Sequence, residues 1–275
     1  MSRREQIRRL GFYLFASIIA FFNLMPFFWM VSTSLKARGA LLVLPVQWIP
    51  SPVSFDAYER LFSLFPFGRA IFNSLFVASA TTAIVVLSSS MAAYVFAKIP
   101  FRGRDTLFTL FLMTMMIPGQ VTMIPNFLVL RYLGLLNSFL GILAPSVFNA
   151  FAVFLLRQNM RGIPDALSEA ALIDGAGYAA IYVRIIVPLS KPVLSALSVI
   201  TFMGAWNDYL WPLIVLTDRA KMTLPVGLSL LNTQYGNQYN LLMAGGLISM
   251  LPILILYFFA QKHFEQGLSI GGIKG

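Results

Sequence analysis

Glu169-Ala170-Ala171-Leu172-Ile173-Asp174-Gly175-Ala176, followed further on by Ile185 and then Val187-Pro188, is a charged, Gly- and Pro-punctuated stretch set between long apolar runs. The runs decide the class of fold. Of 275 residues 58% are hydrophobic and 11% charged, with a mean hydropathy of +0.78, which leaves too few charges to clothe a soluble globule of this size. A membrane-crossing helix needs about 20 mostly apolar residues. Stretches that meet this run over residues 11–34, 69–97, 106–130, 138–156, 192–216 and 239–260. The expectation is an all-α membrane protein of six transmembrane helices, one domain over residues 1–275, with a polar loop at 157–191 between the fourth and fifth helices.

Arg3, Arg4, Arg8 and Arg9 precede the first apolar run, as basic residues precede the core of a secretory signal. That run is about twice the usual length of such a core and no small-residue cleavage site follows, so it reads as a retained helix. With six spans and both ends on one side, thirteen Lys and Arg fall on the face of the termini and seven on the other. Positive charge accumulates on the cytoplasmic side. Both termini, and the 157–191 loop with them, are therefore expected in the cytoplasm of a multi-pass cell-membrane protein. This distribution accounts for the net charge of +10 without a nucleic-acid partner. There is no cysteine, which excludes disulfides and thiolate metal sites.

Within 157–191 the pattern predicts a helix, a turn and a second helix. Pro164 suits a first helical position, and Asp165 meets the positive end of the helix dipole. Leu167, Ala170, Ala171 and Asp174 share one face, and Gly175 and Gly177 stop the helix and allow a sharp bend. The result is a short helix at the inner surface. Its small side chains let a groove on another protein approach closely, and Glu169 can orient it through hydrogen bonds or an ion pair.

The spacing Glu-Ala-Ala, three residues, Gly, nine residues, Ile, one residue, Leu, Pro resembles the loop motif of membrane permeases in ATP-binding-cassette importers. Here it runs through Glu169, Ala170, Ala171, Gly175, Ile185 and Pro188, with Val187 where Leu is usual. Phe101-Arg102-Gly103-Arg104, Met116-Ile117-Pro118, Trp206-Asn207-Asp208, Leu210-Trp211-Pro212, Thr223-Leu224-Pro225 and the tail Gly271-Gly272-Ile273-Lys274-Gly275 are similar to the carbohydrate-importer branch, in its MalG-like form. The resemblance covers nearly the whole chain. It implies a type I importer permease fold in which Glu169, Ala170, Ala171, Asp174, Gly175, Ile185 and Pro188 form a coupling helix and its flank, docked in a cleft of a separate ATPase. It also implies the partners: a second permease subunit, forming a heterodimer; two ATPase subunits that hold ATP and Mg; an extracytoplasmic solute-binding protein; a sugar substrate; and membrane lipid. No cofactor is expected on this chain.

Asp208 is the carboxylate well inside an apolar run. A lipid-facing acid costs about 2.5 kcal/mol or more on insertion scales, so it is expected to face a polar cavity or a partner. With Trp206, Asn207, Tyr209 and Trp211 it offers hydrogen-bonding groups beside aromatic faces, which suits a neutral sugar or a gate; the same residues also suit helix packing and the membrane interface. Pro118, Pro125, Pro145, Pro212 and Pro252 are expected to bend helices. Gly245 and Gly246 are expected at a close helix approach, and Met113, Met115, Met116 and Met123 are read as packing rather than a metal site. By the resemblance, the outer loops 35–68 and 217–238 face the binding protein, the second through Gln234, Tyr235, Gly236, Asn237 and Gln238.

No Gly-Lys dipeptide occurs, so the chain carries no Walker-type phosphate loop and ATP hydrolysis must come from a partner. Gly267-Leu268-Ser269-Ile270-Gly271 matches a nucleophile elbow in spacing but not in its strand-turn-helix setting. One histidine, His263, cannot build a zinc site. The reading is an importer permease for di- or oligosaccharides and not an enzyme. The alternatives are a glycerol-phosphate importer permease, or a membrane-embedded enzyme acting on lipid-linked sugars with Asp208 as its acid or base.

Overall fold

In the computed structural model the backbone is described over residues 3–37, 47–235 and 238–271, and side chains over the same residues except 3–4, 233–235 and 259–271. Every regular element there is helical. First come α1 (Arg3–Ser34), α2 (Asp56–Leu64) and α3 (Phe67–Lys98). Next are α4 (Arg104–Met113), α5 (Gly119–Tyr132), α6 (Phe139–Leu143), α7 (Ala150–Arg161), α8 (Asp165–Ile173), α9 (Tyr178–Ile181) and α10 (Val187–Leu189). The last are α11 (Lys191–Trp206), α12 (Leu210–Val215), α13 (Leu224–Tyr235) and α14 (Tyr239–Gly271). Short 3-10 turns extend α4 and α6, and a π-helical turn, Tyr182–Ile186, joins α9 to α10. The expected contributions of Gly236, Asn237 and the tail from Gly272 to Gly275 lie outside the described residues, as do the side chains of Gln234, Tyr235 and His263.

By length and composition, Glu5–Ser34, Phe67–Lys98 and Tyr239–Phe258 are unbroken helices able to cross a membrane. The other apolar runs qualify as bent pairs: Arg104–Met116 with Gly119–Tyr132 at 98°, Phe139–Val147 with Ala150–Arg161 at 42°, and Tyr178–Leu189 with Lys191–Trp206 at 78°. Up to six spans result. The causes of the breaks are local. Pro118 forces Ile117 into an extended conformation (ψ 114°), which ends one helix and caps the next. Asn149 is itself extended and accepts a bond from the Ala152 amide at 2.9 Å, so α7 starts afresh after the turn that holds Pro145. Pro125 and Pro252, by contrast, sit inside helices that continue through them.

The fifth run departs from the helix expected over 192–216. It ends at Trp206, breaks over Asn207–Tyr209 and resumes as α12. The second helix of the polar loop leads instead, through the bend at Ser190, directly into α11.

Contacts divide the chain into two units, Met1–Phe67 with Gly227–Leu251, and Gly68–Val226 with Pro252–Gly275. In the first, Leu61, Phe65, Leu231 and Leu241 are buried, and Gly227 and Gly245 permit close approach. A Cβ on Gly227 would lie 2.5 Å from the Phe65 ring and one on Gly245 would run into Leu228, whereas one on Gly246 would make only an ordinary contact with the Met30 sulfur at 3.6 Å, so close approach does not require Gly246, contrary to expectation. Lys36 is 2% exposed, its ammonium lies 4.3 Å from the Trp29 ring centroid, and its carbonyl accepts from Asn240 Nδ2 at 3.2 Å.

In the second unit, Tyr94, Phe108, Leu156, Met160, Ile181 and Leu197 bring α3, α4, α7, α9 and α11 into one core. A smaller cluster of Val77, Leu130, Ile142, Val215 and Leu216 lies around α12. Beside it Asn137, at φ 54°, accepts on Oδ1 from the Thr217 and Asp218 amides and on its carbonyl from Lys221 Nζ at 2.8 Å. That knot ties the turn after α5 to the segment after α12.

Candidate functional site

Helix α8 begins one residue after the start expected at Pro164. Pro164 is its N-cap and Asp165 its first residue, and Gly175, at φ 82°, closes it in the left-handed region that a side chain would resist. None of its nine residues is buried. Glu169 and Ala170 face outward, Ala171 packs part-buried against the core of its unit, and Ile173 is 87% exposed. An isoleucine in that position is an apolar surface that no described residue covers. Glu169, expected to orient the helix, makes neither a hydrogen bond nor an ion pair among the described residues, so its carboxylate is free for another molecule.

Both flanks of α8 are fastened to the end of α3. Lys98, with its side chain 4% exposed, donates from Nζ to the Ile163 carbonyl and to Asp165 Oδ1, the latter at 2.6 Å. On the far side the Tyr94 hydroxyl donates to the Tyr178 carbonyl at 3.1 Å, and Ser90 Oγ and the Tyr182 hydroxyl lie 2.6 Å apart. The Tyr94 and Tyr182 rings lie 5.3 Å apart. Gly175, Ile185 and Pro188 of the motif thus serve different ends. Gly175 shapes the turn, Ile185 packs part-buried within the π-helical turn, and Pro188 lies exposed in α10, just before the bend at Ser190. Asp174 caps α8 at its C-terminal end and is exposed.

A second ion pair supports the same surface. Arg157, buried on α7, donates from Nη2 to Asp105 Oδ1 at 2.6 Å and from Nε to the Phe96 carbonyl at 3.1 Å, and its guanidinium sits 3.8 Å from the Phe108 centroid. In the sequence Arg157 is one of thirteen basic residues expected on the face of the termini. The signal that sets it apart is its position at the very end of an apolar run.

Inside the membrane-length segments, a cavity of about 430 Å³ is lined by residues of α3, α7 and α11 and by Asp208 and Trp211. Thr81, Ser146, Asn149 and Thr201 give it polar points. A second cavity of about 330 Å³ is lined by Gln120, Thr122, Asn126 and, again, Pro145, Asp208 and Trp211. Asp208 and Trp211 stand where the two meet. The break between α11 and α12 creates this junction: Asp208 Oδ1 accepts weakly from the Trp211 amide at 3.5 Å, and Trp211 Nε1 is buried with no acceptor among the described residues. The other residues expected with them are placed elsewhere. Trp206 is 2% exposed and stacks on Phe202 with centroids 6.1 Å apart; Asn207 donates to the Met203 carbonyl at 2.9 Å; Tyr209 is the N-cap of α12; none lines either cavity. Among the described residues no cluster of three or more His, Cys, Asp or Glu is placed to hold a metal.

A family described as binding-protein-dependent transport system inner membrane component matches residues 84–270, a stretch that takes in α8, its fastenings and most of the larger cavity's lining. The chain belongs to this family. Members of comparable length align end to end with it. The arabinooligosaccharides transport system permease protein AraQ of Bacillus subtilis (strain 168) is 38% identical, covering 100% of this chain and 99% of that one. The lactose transport system permease protein LacG of Rhizobium radiobacter is 33% identical over 95% of each. Among solved structures, a bacterial ABC transporter involved in the import of the acidic polysaccharide alginate contains a chain that matches with a TM-score of 0.83 at 27% identity, covering 96% of this chain and 99% of its own. As a transport permease of the inner membrane, the chain has the all-α architecture expected for an ABC importer permease, and its resemblance to the carbohydrate branch holds over the full length.

Proposed function

We propose that this chain is one permease subunit of an ATP-driven importer of oligosaccharides, a single transmembrane domain with both termini in the cytoplasm. It pairs with a second, different permease; two ATPase subunits carrying ATP and Mg dock beneath; and a soluble binding protein delivers sugar from outside. The chain itself makes and breaks no covalent bond. One observation carries the reading: α8 presents Ile173, Ala170 and an unpartnered Glu169 to solvent while both its flanks are bolted to α3. Such a knob is built to be gripped by another protein and to move what it is attached to. Ile173→Cys, crosslinked in membranes that contain the ATPase, is expected to give an adduct whose yield changes with nucleotide. No adduct in any nucleotide state would overturn the reading.

The cavities supply the substrate side. A sugar hydroxyl can accept from the unused Trp211 indole N–H and donate to Asp208, while the indole face covers the apolar side of a pyranose ring. Apart from Asp208 the lining is uncharged, which favours a neutral saccharide over a phosphate ester and so over the glycerol-phosphate reading. Alternating access follows from the parts. ATP draws the ATPase subunits together, α8 follows, the paired permeases open outward to receive the sugar, and hydrolysis returns them.

A further inference from the structure

Helix α3 touches both ends of the machinery. It is the unbroken membrane-length helix of the segment between Gly68 and Val226, and from Arg69 to Lys98 it contains neither Pro nor Gly. At a rise of 1.5 Å per residue, Asn73 and Lys98 stand about 38 Å apart along it, more than the hydrocarbon thickness of a bilayer.

At its first turns Asn73, 4% exposed, spends both amide N–H groups on the carbonyls of Ala220 and Met222, each at 3.0 Å. Next to it Ser74 Oγ accepts from the Leu224 amide at 2.7 Å. The same outer segment is knotted to Asn137 through Thr217, Asp218 and Lys221. At its last turns α3 holds the start of α8 through Lys98 and the residues after it through Tyr94 and Ser90. The remaining apolar runs of this unit that pair into spans are bent by 98°, 42° and 78°. A break gives a hinge at which two helices can turn against each other, whereas an unbroken helix without Pro or Gly shifts as a body.

We propose that α3 is the strut that carries the displacement of α8 across the bilayer to the outer segment 217–224, with Asn73 and Lys98 as the positioning residues that pin its two ends. The proposal rests on the permease reading and adds to it a route and a direction. Docking below and the state of the outer surface become one rigid-body coordinate, and a binding protein that presses on 217–224 is felt at α8. Buried and polar, Asn73 and Lys98 are chosen for holding carbonyl groups of another segment, not for filling space.

The absence of cysteine makes the test direct. Arg161→Cys and Arg219→Cys, both at exposed positions, place spin labels just before α8 and on the outer segment. The distance between them is read by double electron-electron resonance in the full complex in nanodiscs, nucleotide-free and trapped with ADP-vanadate, using cysteine-free partner subunits. A single distance, the same in both states, is expected. A shift of about 5 Å or more, the size of a one-turn slide between elements, would overturn the strut. Lys98→Met should make the distance nucleotide-dependent and Lys98→Arg should restore a constant one; a constant distance in Lys98→Met removes Lys98 from the mechanism and the proposal with it. Failure to recover any ATPase with the labelled chain is a different result, which overturns the permease reading on which the strut stands.

Discussion

Arg157 Nη2 lies 2.6 Å from Asp105 Oδ1, joining the end of α7 to the start of α4, yet the two partners live in different surroundings: the arginine side chain is 6% exposed and the aspartate 72%. The asymmetry predicts unequal mutants. Arg157→Met leaves the part-buried Phe96 carbonyl without this donor, a loss of at most about 1–3 kcal/mol, the range for a fully buried group, whereas Asp105→Asn keeps an acceptor in place and its carboxylate was largely in water. Thermal unfolding in detergent should therefore show a clearly lower midpoint for Arg157→Met than for Asp105→Asn. Arg157→Lys should recover little, since an ammonium cannot bond two acceptors in the guanidinium's fork and stack on Phe108 at once.

Gly175 separates conformation from space. A Cβ there meets nothing within 4 Å, so the obstacle to a side chain is φ 82° alone. For Ala or Val the strain is about 1–2 kcal/mol, less for Asn, which tolerates the left-handed region. Gly175→Val should weaken recovery of the ATPase with the permease, with Gly175→Asn closer to the parent; equal recovery for the two would show that the turn does not set the docking geometry.

Gly141 gives the opposite case. Its added Cβ would lie 2.5 Å from the Leu135 carbonyl oxygen and 3.1 Å from Val215, backbone and core that cannot step aside. Gly141→Ala should destabilise by about 1–3 kcal/mol, the usual range for overpacking, seen as a lower midpoint in the same melt.

Gly204 lines the larger cavity and has open space around it. Gly204→Ala should raise stability by roughly 0.4–1 kcal/mol, because a glycine in the last turn of α11 is replaced at no steric cost and the unfolded chain loses freedom. Gly204→Phe should instead fill the cavity and block uptake without lowering the melt. Uptake that persists in Gly204→Phe would remove this cavity from the substrate path.

Hydrophobic patterning makes the six apolar runs legible, and the bounds of α8 are readable from Pro164, Asp165 and Gly175 because caps and left-handed turns are written in single residues. The breaks are less so. Pro118 ends a helix, with Ile117 extended before it, while Pro125 and Pro252 sit within continuing ones, and the presence of a proline alone does not tell these cases apart. Of the five residues expected around Asp208, only Asp208 and Trp211 reach the cavities, since the helix ends at Trp206 and the chain turns before α12 begins. The roles of Lys98, Arg157 and Asn73 are invisible to such patterning because their partners are backbone carbonyls and acids distant in sequence, and one-dimensional periodicity carries no trace of such pairings.

Ile173 stands 87% exposed on a nine-residue helix, and burying one such side chain yields only about 1.5–3 kcal/mol. By itself that is weaker than a millimolar contact, and the exposed Leu167 and Leu172 of the same helix add to it. Under the proposed pairing of two permeases, two such contacts act at high effective concentration, so losing one of them is expected to weaken retention of the ATPase far more than the area of a single helix suggests.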